Sequence, residues 1–259
     1  MHYDFNFAGL LPYWNTFASG AILTLELTLA STVFGLIIGI FCSIGSRSRY
    51  RWLQRVCAIY VETIRNTPFL VQIFIFYFGL SSIGLQMPPA VAAVIAMVIN
   101  VGAYSSEIIR AGMDAIPRGQ IEAAECLGLS RPRIYWHVIM LPAFEKVYPS
   151  ITSQFILMML MSSITSQIST EELTAVANNV QSETFLSLES YIVVAALYLL
   201  LAVILRLLFW LAEQMLFRRK RVIAQLQRKA AKTRKGAGSV KNASTGSTTQ
   251  KVQAVTVRG

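Results

Sequence analysis

The sequence predicts an all-α, polytopic membrane protein of five transmembrane helices, N-terminus outside and C-terminus inside. Three observations predict it. Apolar residues make up 54% of the 259 positions and charged residues only 14%, a balance too apolar for an ordinary soluble domain. The apolar residues gather into five runs, each near the roughly 20 residues that cross the hydrocarbon of a bilayer. The segments between the runs alternate between those free of Lys and Arg and those rich in them, as expected when basic loops stay in the cytoplasm.

Taken in order, residues 1–18 form an N-terminal interfacial segment. The first 16 residues hold no Lys or Arg, which argues against a signal peptide. Phe5, Phe7, Leu10, Leu11 and Trp14 suit a stretch lying at the membrane surface, with Tyr13 and Trp14 at headgroup level. The first span runs from about Ser19 to Ser43. Its Glu26 is placed near the outer interface or against protein, and Gly35 and Gly39 give the small-xxx-small spacing that lets helices approach closely. Arg47, Arg49, Arg51 and Arg55 then mark the cytoplasmic side.

The second span, about Cys57 to Leu80, is interrupted by Glu62-Thr63-Ile64-Arg65-Asn66-Thr67-Pro68. Glu62 and Arg65 are three apart and are expected to pair on one helix face. A charge at mid-bilayer costs roughly 2.5–3.5 kcal/mol on insertion scales, so these side chains face protein or water. Pro68 also frees a backbone carbonyl. Two readings stay open: a gate or pathway element involving Glu62, Arg65, Asn66, Thr67, Pro68 and Gln72, or a structural kink held by a buried ion pair. Ser81 to Met87 is an uncharged outer turn. The third span, about Pro88 to Ile109, carries Glu107 near its inner end, where it lines the transport path or sits at the inner interface.

The fourth span is about Tyr148 to Gln167. Ser162, Ser166 and Ser169 fall on one helical face, able to hydrogen-bond a neighbouring helix or a passing substrate. Ser169 to Ser190 holds four acids and no Lys or Arg, so it reads as an outer segment with a short helix. The fifth span is about Tyr191 to Leu216, in which Arg206 faces the subunit interior or reaches toward the cytoplasm. Residues 217–259 form a basic, largely disordered cytoplasmic tail, rich in Lys, Arg, Gly, Ser and Thr with no Asp or Glu. This tail accounts for much of the net charge of +10, and its expected partner is an anionic lipid surface rather than nucleic acid.

Between the third and fourth spans, about residues 111–143, lies a polar, basic island. Pro117 suits a first helical turn, and Arg118 to Leu127 are good helix formers with Ala123, Ala124 and Leu127 on an apolar side. Gly128 stands where a left-handed residue would close that helix. Ser130 can cap a second short helix with Pro132 in its first turn, and Leu141-Pro142 is expected to stop it. The result is a bent helix pair with a bare glycine at the bend, suited to close approach by another protein.

No phosphate-binding Gly-rich loop is present and no Ser, His and Asp grouping suggests a nucleophile. The chain is therefore not expected to be an enzyme, and uphill transport would draw on a partner or an ion gradient. Cys42, Cys57 and Cys126 lack disulfide or metal spacing and read as small buried residues; with two histidines there is no metal site to expect.

The island also carries a family resemblance. Glu122-Ala123-Ala124, Gly128, Ile139 and Leu141-Pro142-Ala143 resemble the EAA loop of ABC importer permeases, and Ile116-Pro117-Arg118-Gly119-Gln120 resembles the branch for polar amino acids. Arg65-Asn66-Thr67-Pro68 with Leu70-Val71-Gln72, and Glu172-Leu173-Thr174, are similar to the same branch. Many members carry Lys-Asp or Lys-Asn where this chain has Leu160-Met161. The resemblance implies a type I importer permease domain over residues 19–216, in a bacterial inner membrane. It implies two ATPase subunits, a second permease subunit, an external solute-binding protein and a polar amino-acid substrate. Coupling falls to Glu122, Ala123, Ala124, Gly128, Leu141 and Pro142, and the chain needs no cofactor, since ATP is used by the partner. The alternative is an ion-coupled carrier working alone, with Glu62 and Arg65 as its ion site.

Overall fold

A computed structural model describes residues 5–216. The chain divides into two compact units, Met1–Phe209 and Trp210–Gly259; of the second, only residues 210–216, the end of a helix, are described. The basic tail expected over 217–259 lies outside the described residues.

Among the described residues all regular structure is helical. A 3-10 turn, Phe7–Tyr13, is capped by the Asn6 side chain and leads without a break into α1, Trp14–Gly45. The expected interfacial segment and first span are thus one continuous rod. Helix α1 wears its apolar residues outward. Apart from Phe17 and Leu27, its buried face is small or hydroxylated, with Thr24, Thr28, Ser31, Gly35, Gly39 and Cys42, while Ile22, Leu29, Phe34 and Phe41 are exposed. That inversion suits a helix whose solvent is lipid, where close packing of small residues replaces hydrophobic burial as the force between helices. The hydroxyls on the buried face donate to their own helix, Thr24 to the Gly20 carbonyl and Thr28 to the Thr24 carbonyl.

Helix α2, Arg51–Arg65, is amphipathic. After a break at Asn66–Pro68 comes α3, Phe69–Ser82, which includes a π-helical stretch at Ile75–Gly79. Helix α4 is Pro89–Asp114. It packs most extensively on α1, and also against α2 and α3. A Cβ on Gly35 would lie 2.6 Å from the Val101 side chain, and one on Gly39 2.7 Å from Ser105 Cβ. The close packing that the Gly35 and Gly39 spacing permits is made against α4, and glycine is what allows it.

Helix α5, Arg118–Cys126, is followed by α6, Arg131–Ile168. Here the structure corrects the expectation that Leu141-Pro142 ends a short helix. The backbone passes straight through Pro142, because residues Ile134–Met140 are π-helical. The wider turn makes room for the proline ring where an α-helical carbonyl would clash. Helix α6 closes in a 3-10 stretch, Ser162–Ile168. Helix α7, Leu173–Thr184, follows, then α8, Ser187–Leu216.

Among the described residues four helical stretches are long and apolar enough to cross a membrane: Phe7–Gly45, Pro89–Asp114, Arg131–Ile168 and Ser187–Leu216. The second expected span is not among them. The break at Pro68 divides it into an amphipathic α2 and a short apolar α3.

Candidate functional site

The loop between α4 and α6 folds as an elbow. Pro117 caps α5 instead of occupying its first helical position. At the far end Gly128 has φ +71°, and two hydrogen bonds close the turn: Gly128 N–H to the Glu125 carbonyl at 2.9 Å and Leu129 N–H to the Ala124 carbonyl at 3.2 Å. This pairing is the Schellman arrangement that a left-handed glycine permits. Buried Ala124, Ile116 and Ile134 seat the elbow on the main core. The opposite side, with Glu122, Ala123, Cys126, Gly128 and Leu129, is exposed, and Leu127 is 80% exposed. Cys126, read from the sequence as buried, is therefore at the surface. A Cβ built on Gly128 would meet nothing within 4 Å. Of the residues expected to couple, Glu122, Ala123, Ala124 and Gly128 share the elbow. Leu141 and Pro142 stand apart from it, inside α6.

Above the elbow runs a ladder of charges. Arg47, just after α1, pairs with Asp114 at the end of α4. Arg110 donates to Asp114 at 3.1 Å and bidentately to Glu107 at 2.6 and 3.0 Å. Arg65 reaches Glu107 at 3.8 Å and stacks over the Tyr104 ring at 5.5 Å. The ion-pair partner of Arg65 is thus Glu107 on another helix, not the Glu62 that spacing suggested. Glu62, Arg65, Glu107 and Arg110 line one pocket with Ser46, Cys57 and Ser106.

The ladder ends at the break in the second segment. Pro68 has no N–H, which strands the Ile64 carbonyl one turn back. The Gln72 side chain, in the first turn of α3, replaces the missing donor: its Nε2 lies 2.6 Å from the Ile64 oxygen and 2.9 Å from both the carbonyl and the hydroxyl oxygen of Thr67. Asn66 and Thr67 donate back to the Glu62 and Thr63 carbonyls. Asn100 of α4 donates to Gln72 Oε1 at 2.9 Å, and both amides are buried. Gln72 is therefore a bracket for the break, with no face turned to open space. Asn100 was missed by sequence reasoning, although a signal existed: it is the one polar side chain between Ala90 and Val101, and an amide in such a run has to find a partner.

Ser162, in the 3-10 stretch that packs against α3, is buried and donates to the Met159 carbonyl, while Ser166 donates to Ser163. Glu172 is fully buried at the start of α7. Its carboxylate accepts from the Thr174 and Ala175 N–H groups and from the Tyr198 hydroxyl at 2.5 Å. Burial pushes the Glu172 carboxyl above its ordinary value, and these hydrogen bonds oppose the shift without cancelling it.

Residues 32–219 match a family model described as binding-protein-dependent transport system inner membrane component. The chain is 34% identical to an L-cystine transport system permease protein of Bacillus subtilis (strain 168), over 80% of this chain and 88% of that protein. It is 32% identical to an arginine transport system permease protein of the same organism, over 78% and 93%. A crystal structure of an amino acid ABC transporter with histidines superposes with a TM-score of 0.77 at 36% identity, covering 83% of this chain and all of that one.

Proposed function

Because the chain belongs to the family of binding-protein-dependent transport system inner membrane components, we propose that it is a permease subunit of an ATP-driven ABC importer for polar amino acids. Relatives named for cystine and arginine transport support the substrate class. The same membership favours this reading over a carrier that runs on an ion gradient.

The observation that carries the mechanism is the elbow. A helix pair locked by a Schellman turn, seated on the core and bare at Gly128, is a rigid lever offered to another protein. Two ATPase subunits, which use the ATP, dock at Glu122, Ala123, Ala124 and Gly128 from the cytoplasm, and a solute-binding protein delivers the amino acid outside. A second permease subunit completes the path. Closure of the ATPases moves the elbow, and α4 and α6, joined through it, rock between inward-open and outward-open states. Both ligands then bias one two-state element, as coupling requires.

In a bacterial inner membrane the chain crosses five times, with α2 and α3 together making the second, broken crossing. The N-terminus is outside and the C-terminus inside, since the outer segments carry no Lys or Arg. Glu62, Arg65, Asn66, Thr67, Glu107, Ser162 and Ser166 belong to the path and its gate, and the tail beyond residue 217 holds anionic lipid. Reconstitution into vesicles with an ATPase and a binding protein tests the reading: uptake of radiolabelled amino acids should require ATP and all components. Gradient-driven uptake by this chain alone would contradict it.

A further inference from the structure

We propose that Asn100 is a positioning residue for transport, which acts through Gln72 as a two-position latch on the break at Pro68; this rests on the importer reading above. Gln72 Nε2 faces the oxygens of Ile64 and Thr67, so its Oε1 must point away, toward the Asn100 Nδ2 that donates to it at 2.9 Å. Turning either amide over would set oxygen against oxygen. The direction of the whole chain, from Asn100 to Gln72 to the break, is thereby fixed.

The last atom is left over. Asn100 Oδ1 is buried and has no hydrogen-bond partner, although Asn100 is only 2% exposed. As a device for holding α3 to α4, an amide pair with a stranded acceptor is inferior to two apolar side chains. The spare oxygen has a use if the break moves. When the Gln72 amide leaves Ile64 and Thr67, a turn of the Asn100 carboxamide presents Oδ1 to the freed Nε2. The pair then has two bonded arrangements, one gripping the break and one releasing it. Each keeps the buried amides joined, which is what a switch inside a low-dielectric interior needs.

The test uses the full complex in vesicles, supplied with an equimolar mixture of radiolabelled L-amino acids. Asn100→Leu leaves the buried Gln72 Oε1 unpaired and should melt lower than wild type; per folded complex it should lose about tenfold in maximal uptake with the half-saturating concentration of loaded binding protein unchanged, and hydrolyse more ATP per solute. Wild-type uptake and ATP per solute in Asn100→Leu would overturn the proposal. So would a loss that only follows the amount of folded complex. Absence of ATP-dependent uptake in the wild type would be a different result, overturning the importer reading and this latch with it.

Discussion

The Lys146 ammonium lies 2.9 Å from the carbonyl oxygen of Ala115. Lys146 stands in α6 and Ala115 is the residue that ends α4, so this contact ties the two helices that the elbow joins, on the side where the elbow begins. A cation at a helix C-terminus also answers the partial negative charge there. Replacing Lys146 with Met should cost about 1 kcal/mol locally. Hydrogen exchange of the amides from Ala115 to Ile121 should quicken while those of α1 stay unchanged. Exchange in the variant identical to that of the wild type would show that the contact contributes nothing.

Gly128 separates the needs of the fold from those of docking. Its left-handed backbone makes any side chain strained by about 1–2 kcal/mol, but an added Cβ would touch nothing in this chain. Gly128→Asp should therefore still insert, while stimulated ATP hydrolysis and uptake disappear. Undiminished uptake in that variant would argue against docking at this position.

Gly35 predicts the opposite pattern. A Cβ there would fall 2.6 Å from the Val101 side chain and 3.1 Å from the Val98 carbonyl oxygen of α4. Gly35→Leu should destabilise by about 1–3 kcal/mol or more, seen as a lower melting temperature and a smaller yield of membrane-inserted chain. A variant of normal yield and stability would mean that the two helices pack less closely than the structure has them.

These positions also show how much could be read in advance. The glycine spacing of α1, the left-handed Gly128 and the polar break at Pro68 are local, and the sequence states local requirements plainly. The partner of Arg65 is not local. Spacing within one helix offers Glu62, whereas the pairing carboxylate, Glu107, comes from a helix that only the fold brings near. Pro142 misled for the complementary reason: a proline reads as a stop unless the preceding turn widens, and nothing in Ile134–Met140 announces a π-helical turn. Asn100 sat in plain view, but its role exists only because Gln72 reaches back across the break.

Glu172 supplies a pH dependence at the start of α7. Its carboxyl is held above the ordinary value of 4.5, chiefly by burial, so between that value and the raised one the folded state binds more protons than the unfolded. Stability is then fully present at acid pH and falls as pH rises through the raised value. The melting temperature of the wild type should rise on acidification from neutral pH, and Glu172→Gln should lose that increment whatever its baseline. Parallel melting profiles for the two would contradict the assignment.

The most direct measurement is a crosslink from the elbow. With Cys126 changed to Ser and a single cysteine introduced by Leu127→Cys, at a side chain 80% exposed beside Gly128, a short bifunctional reagent should join this chain to its ATPase subunit. Labelling of that cysteine should occur only from the cytoplasmic side. Labelling from outside, or a functional complex in which no crosslink to the ATPase ever forms, would contradict the account.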